Sequence, residues 1–222
     1  MLKVGLTGGI ASGKSAIGDV FVSLGAHLVK ADDIAHHLMR PGMPVYAEVV
    51  RQFGIEILNP DKTINRAKLA QAAFGGPDTS PRIQELNRIV HPAVLRAQEE
   101  WMENIGRSDP NSIAVVEAAL ILEAGARHQF DRLIVVTCQP QQRAERLAAR
   151  LSISTEAARR EVERRMAAQL SDEEKISSAD YVIDNSGTLA DSQKRAQEIF
   201  ADLQRDLQSR ENSRQGRADG NS

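Results

Sequence analysis

The sequence predicts an α/β protein: a doubly wound, mostly parallel sheet of five strands, with a helical insertion and a helical lid. Three observations carry that expectation. Five short apolar runs are each separated from the next by helical patterning. A glycine-rich segment joins the first run directly to the first helix. Two further stretches break the alternation by reading as helix after helix.

Leu2-Lys3-Val4-Gly5-Leu6-Thr7 alternates apolar and small residues as a short strand does. Gly8-Gly9-Ile10-Ala11-Ser12-Gly13-Lys14-Ser15 then fits G-x-x-x-x-G-K-[ST]. After it Ile17, Val20, Phe21 and Leu24 form one helical stripe, stopped by Gly25. Strand, glycine loop and helix together form a phosphate-binding arrangement. Glycines let the backbone turn several N–H groups inward as an anion nest, and the helix points its positive end at the same place. Lys14 brings a mobile charge to the β/γ-phosphates, and the Ser15 hydroxyl is a hard oxygen ligand for Mg²⁺.

The remaining strands are expected in Ala26–Ala31, which leads into Asp32-Asp33, and in Ile113–Leu122, a run interrupted by Glu117. Two compact runs follow, Leu133–Val136 and Tyr181–Ile183. Ligands on such sheets bind beyond the carboxyl ends of the strands. That rule gathers the glycine loop, Asp32, the residues after Val116, and Asn185 around one crevice. The core is expected over residues 1–33, 111–138 and 177–203, within a single fold spanning 1–203. Residues 34–110 read as a helical insertion: Asn65 caps Arg66–Phe74, Pro81 opens a helix to Val90, and His91-Pro92 breaks into another through Ile105. Residues 139–176 read as a lid, with Arg143, Arg146 and Arg150 on one helical face. There Ser154 caps a helix whose thin apolar stripe is Ala158, Val162 and Met166. Residues 204–222 are polar and without period, and are expected to be disordered.

The bulk numbers exclude several classes. Net charge is −2, so no global basic field marks nucleic acid or an anionic membrane as a partner. The one cysteine, Cys138, permits neither a disulfide framework nor a zinc cluster, and is expected to be a buried small hydrophobe. With no signal-peptide pattern and no long apolar run, a cytoplasmic protein is expected.

Several candidates carry two readings. Asp32 is placed to take a proton from an acceptor hydroxyl, or to cap a helix beginning near Ile34; Asp33 competes for both roles. Glu117 needs a partner inside an apolar run, either Mg²⁺ or an arginine. Glu123 is the alternative metal contact or serves its own loop. The three arginines either clamp phosphates or line a solvated face. His91 precedes a proline and is a kink residue or a substrate contact.

Taken together these residues resemble the dephospho-coenzyme A kinase family of P-loop kinases. The match covers about residues 3–200 in ordered motifs. They are Gly5 through Ser15; Ala31-Asp32 with Ile34-Ala35; Pro41-Gly42; Asn65-Arg66 through Leu69 to Phe74; Leu86-Asn87 before His91-Pro92; Leu120 to Glu123; Arg146-Leu147 with Arg150; Arg165 with Gln169; and Ala179 through Gly187. The resemblance implies transfer of the γ-phosphate of ATP to the ribose 3′-hydroxyl of dephospho-CoA, with Mg²⁺ as cofactor. It implies ATP on Ala11, Ser12, Gly13, Lys14, Ser15 and Ala16, and Asp32 as the acceptor-side base. It makes the insertion from Arg66 to His91 the CoA-binding part and Arg146 and Arg150 lid arginines, with Asn185 near the adenine. Metal contacts are Ser15 and Glu117, and the protein is expected as a monomer or small homo-oligomer.

Three positions depart from the family pattern. Ala11 stands where glycine is usual, which is tolerable at negative φ. Lys30 stands where an acid commonly precedes the Ala-Asp pair. Glu117 and Ala119 replace Asp and Pro, the glutamate reaching one methylene further. Another small-molecule kinase of the nucleotide or shikimate type would share the loop and lid but differ in the insertion. A guanine switch protein would want an Asn-Lys-x-Asp element, which the chain lacks.

Overall fold

The first strand, β1 (Leu2–Thr7), lies at the centre of a five-stranded sheet. In this computed structural model the described residues are 1–75 and 82–219, with the backbone alone for 211–219. Two compact units emerge, Met1–Val29 with Met102 onward, and Lys30–Trp101.

The first unit holds α1 (Lys14–Ser23), β2 (His27–Lys30), β3 (Ile113–Glu117), β4 (Arg132–Thr137) and β5 (Tyr181–Asp184). The sheet order is β2-β3-β1-β4-β5, with β1 parallel to β3 and β4, and β4 parallel to β5. β1 therefore has β3 on one side and β4 on the other, which is where a doubly wound sheet opens its crevice. The register pairs Leu6 with Glu117 and Thr7 with Val135, so Glu117 ends its strand beside the start of the glycine loop.

Leu2, Val4 and Leu6 point to one face and are fully buried. They pack with Ile17 and Phe21 of α1 and with Ile199, Phe200 and Leu203 of α9 (Leu189–Asp219). The Phe21 and Phe200 rings stack 6.0 Å apart. On the opposite face Gly5 meets Ile121, Phe130 and Leu133. The lid stretch folds as α6 (Pro140–Leu151), α7 (Thr155–Met166) and α8 (Asp172–Ser177). Ser154 caps α7, accepting from Ala157 N at 3.2 Å.

The second unit contains α2 (Ala31–Leu38), α3 (Pro44–Phe53), α4 (Arg66–Phe74) and the first part of α5 (Ile83–Ser108). Asn65 caps α4 by accepting from Lys68 N at 3.1 Å, so that helix begins where the sequence expects. Val49 and Phe53 of α3, Leu69 and Ala73 of α4, and Val90 and Val94 of α5 form a core of their own. The Arg82 guanidinium lies 4.6 Å over the Phe53 ring.

Three expectations are corrected. β3 stops at Glu117 instead of running to Leu122, because the ladder ends with Ala118 N donating to Leu6 O at 3.0 Å. α5 passes through Pro92 unbroken: proline removes one helix bond, and burial of Val90, Ala93 and Val94 on either side holds the helix together. The expected start at Pro81 lies outside the described residues. Finally, the chain beyond Gln204 is helical to Asp219. Leu203 and Leu207 continue the stripe of Ile199 and Phe200 into the core, and ion pairs Arg132–Asp206 and Arg210–Asp131 hold the helix to the sheet at 2.8 and 2.7 Å. A single further turn of periodicity, hidden among polar residues, separates that helix from the expected tail.

Candidate active site

Gly13 is the N-cap of α1 at φ 98°, with no side-chain cap and no acid in the first turn. The first N–H groups of a helix have no partner within it, so this positive end is bare toward the loop. Lys14 Nζ folds back to donate to Gly8 O at 2.9 Å and Gly9 O at 3.0 Å.

Ser15, one residue into α1, donates its hydroxyl to Glu117 Oε1 at 2.7 Å. Glu117 is buried, and its Oε2 has no hydrogen-bond partner among the described residues. Among the described residues no arginine pairs with it. An orphaned buried carboxylate oxygen beside a hydroxyl suits a hard cation such as Mg²⁺. Among the described residues no group of three or more His, Cys, Asp or Glu gathers for a metal. Mg²⁺ in nucleotide sites needs few protein ligands, because phosphates and water complete its shell. The donor set therefore fits the ion. Glu123 is elsewhere: it pairs with the buried Lys175 at 3.1 Å and accepts from Leu170 N at 3.0 Å, bracing the chain into α8.

Ala11 sits at φ 55°, in the left-handed region. The condition under which a methyl was tolerable is not met, and the loop carries that strain.

Helices α6 and α7 pack directly on the loop. Ile10 shares a buried cluster with Leu147, Ala148, Ala158 and Val162, and Ala11 and Met166 border it. The three arginines separate on closer view. Arg143 is fully buried, pairs with Asp172, donates to Cys138 O at 3.3 Å and fills the space where Gly9 lacks a side chain. Arg146 donates to Asn185 O at 2.8 Å and reaches Ser12 O at 3.4 Å. Arg150 is exposed. Asn185 is buried, with Nδ2 donating to Ser12 O at 2.8 Å. Cys138 is buried as expected, and burial raises its thiol pKa.

The candidates in the second unit are laid out separately. Asp32 and Asp33 are exposed in the first turn of α2. That helix starts at Ala31, with Lys30 as its N-cap, so neither aspartate is the cap that a start near Ile34 implies. Arg66 is exposed at the start of α4. His91 is half-buried in α5, and burial lowers its pKa.

The sequence did not point to Asp172 or Ser192, which hold Arg143 and Asn185 in place. Each is an ordinary surface-type residue on a polar helix, and only the fold brings it against a functional neighbour.

The family model described as dephospho-CoA kinase matches residues 2–191. The chain belongs to the dephospho-CoA kinase family. A dephospho-CoA kinase of Leifsonia xyli is 40% identical over 91% of this chain and 99% of its own length. One from Aquifex aeolicus is 36% identical over 93% and 100%. Among solved structures, TT1252 from Thermus thermophilus superposes with TM-score 0.71 at 28% identity, covering 91% of this chain and 97% of that one. A Campylobacter jejuni dephospho-CoA kinase shares the fold with TM-score 0.65 at 24% identity, over 91% and 97%. The chain is thus a kinase of the dephospho-CoA kinase family on a P-loop fold.

Proposed function

We propose that this enzyme transfers the γ-phosphate of ATP to the ribose 3′-hydroxyl of dephospho-CoA, releasing coenzyme A and ADP in the last step of coenzyme A synthesis. The observation that carries the chemistry is the bare N-terminus of α1, with Lys14, Ser15 and the half-satisfied Glu117 gathered at it. The family match supports the acceptor.

The backbone of Ala11, Ser12, Gly13, Lys14, Ser15 and Ala16 receives the phosphates. Lys14 exchanges the carbonyls of Gly8 and Gly9 for β- and γ-phosphate oxygens, an exchange that leaves its charge where negative charge builds. Ser15 and Glu117 would hold Mg²⁺, which when bound neutralises charge shared by the β- and γ-phosphates. Arg146, with Arg150 further along α6, adds positive charge from the lid. Asp32 aims the acceptor hydroxyl and takes its proton as the new O–P bond forms and the bond to ADP breaks. Arg66 and His91 contact the CoA substrate. No helix of the described residues is long and apolar enough to cross a membrane, and the reading is of a cytoplasmic enzyme, monomeric or a small homo-oligomer, acting on these two small molecules without nucleic acid or membrane.

The test is a coupled ADP-release assay with Mg·ATP and dephospho-CoA, adenosine, AMP or shikimate as acceptor. ADP should appear with dephospho-CoA, whose mass rises by one phosphoryl group. Equal ADP release with and without dephospho-CoA, and an unchanged acceptor, overturns the proposal.

A further inference from the structure

Asn185 lies between β5 and α9, and every polar group it owns is engaged. Its N–H donates to Thr137 O at 2.8 Å, extending the β4–β5 ladder by one residue. Its carbonyl accepts from Arg146 Nη2 at 2.8 Å. Its Oδ1 accepts from Ser192 Oγ at 2.7 Å, and its Nδ2 donates to Ser12 O at 2.8 Å. A carbonyl can only accept, so the amide orientation is dictated: nitrogen to Ser12, oxygen to the serine hydroxyl. Ser192 is fixed in turn, because Thr188 and Asp191 close the first turn of α9 with bonds of 2.6 Å between side chains and 3.2 Å from Asp191 N to Thr188 Oγ1.

The consequence lies across the Ser12–Gly13 peptide. A trans peptide is planar, with its C=O and N–H pointing in opposite directions. Holding Ser12 O inward on Asn185 and Arg146 turns the Gly13 N–H outward, the direction in which a phosphate-binding loop presents its amides. Gly13 completes the arrangement. Its φ of 98° is open to glycine at little cost, and a Cβ there would collide with Asn185 Nδ2.

We infer that Asn185 is a positioning residue for the phosphate loop, with Ser192 orienting its amide, and that it does not read the nucleotide base. It acts through the Ser12–Gly13 peptide, which it locks in the orientation that binds phosphate. Without it the peptide is free to turn its carbonyl toward the phosphates, where it repels them. This deepens the proposed function, since it rests on the loop binding a polyphosphate chain, yet it requires nothing of the acceptor.

Calorimetric titration of the full chain with Mg·ATP, Mg·GTP and inorganic tripolyphosphate tests it. Tripolyphosphate has no base, so it reports on the loop alone. Asn185→Ala should weaken tripolyphosphate and ATP by the same factor, about tenfold, the worth of one or two buried hydrogen bonds. The ratio of ATP to GTP affinity should stay at its wild-type value. Ser192→Ala keeps the packing of Asn185 and frees only its orientation; it should shift both affinities the same way by about twofold to fivefold, and it decides the matter if Asn185→Ala fails to fold. Loss of ATP affinity with tripolyphosphate binding intact, or a changed ATP to GTP ratio, overturns the inference in favour of base recognition. Wild-type affinities in folded protein overturn it in favour of a purely structural role. A chain that passes this test but phosphorylates no dephospho-CoA refutes the acceptor assignment alone.

Discussion

The Ser15 hydroxyl donates to Glu117 Oε1 at 2.7 Å, and the other oxygen of that carboxylate is buried without a partner among the described residues. An unsatisfied buried acceptor costs about 1–3 kcal/mol, and more when charged. A cation at Oε2 would remove that cost.

Glu117→Gln keeps the shape and the bond to Ser15 but replaces one oxygen with an NH₂ donor that repels a cation. The Mg²⁺ concentration for half-maximal activity should rise about tenfold or more, the worth of one charge-assisted contact. The melting temperature without metal should hold or rise, because a desolvated charge is gone. Activity titrated with Mg²⁺ beside a metal-free melt checks both, and an unchanged half-saturation removes Glu117 from the metal site.

Ala11 at φ 55° should tolerate glycine and not a β-branched residue. A left-handed L-residue costs roughly 1–2 kcal/mol, while glycine loses about 0.4–1 kcal/mol through the unfolded chain. Ala11→Gly should therefore leave stability within about 1 kcal/mol of wild type, with ATP affinity kept. Ala11→Val adds a β-branch in the same backbone region and should cost about 2 kcal/mol or more. Urea unfolding measures both, and equal tolerance of Gly and Val would mean the loop relaxes out of the left-handed conformation.

Much of this site is legible in the sequence because the glycine loop is local. Its strand, turn and helix are contiguous, and spacing alone fixes Lys14 and Ser15 on the first turn of α1. Glu117 is legible as an anomaly, an acid closing an apolar run. Asn185 is visible as a position but not as a role: the hydrogen bond that ties it to Ser12 joins residues 173 apart in the chain. Arg143 and Arg146 share a helical face in the sequence, and no periodicity tells that one is sealed against Asp172 while the other reaches the loop. The length of α9 is missed for a different reason, since its apolar stripe thins to Leu203 and Leu207 among charged residues.

That difference between the arginines is measurable. Removing one partner of a buried ion pair costs about 3–5 kcal/mol, so Arg143→Ala should chiefly destabilise the fold. Arg146 is half-exposed at the loop, and Arg146→Ala should lower kcat more than about tenfold with a smaller change in stability, as supplied arginines in phosphoryl transfer do. The exposed Arg150 should matter less for stability than either. Thermal melts and steady-state rates on the three variants separate these roles. Wild-type kcat for Arg146→Ala, Arg150→Ala and the double variant would leave Arg146 a purely structural partner of Ser12 and Asn185 and return Arg150 to a solvated face.

His91 gives the second unit a pH signature. Burial lowers its pKa below the ordinary 6.5, so folded protein binds its proton less readily than the unfolded chain. Above pH 6.5 both states are neutral there and the group contributes no pH dependence. As pH falls below 6.5 the unfolded state takes the proton first, and stability declines until the folded pKa is reached. His91→Gln should flatten the decline between pH 7.5 and 5.5 relative to wild type in urea unfolding. Parallel curves for the two proteins would show that His91 is not the group responsible.

Asp32 and Asp33 offer the sharpest contrast, because neither is a helix cap and both are exposed in the first turn of α2. Successive helix residues point about 100° apart, so the two carboxylates face different directions. Asp32→Asn retains size and one acceptor oxygen but removes the charge that takes the proton. It should cut kcat by about 10²–10⁴, the usual worth of a general base, with ATP affinity nearly unchanged. Asp33→Asn should lose far less, because its carboxylate faces a different direction from that of Asp32. Single-turnover rates with dephospho-CoA, beside ATP binding by each variant, isolate the chemical step from binding. A sensitive Asp33 with a silent Asp32 would move the acceptor-side base by one residue and one helical face; two silent positions would take it off α2 altogether.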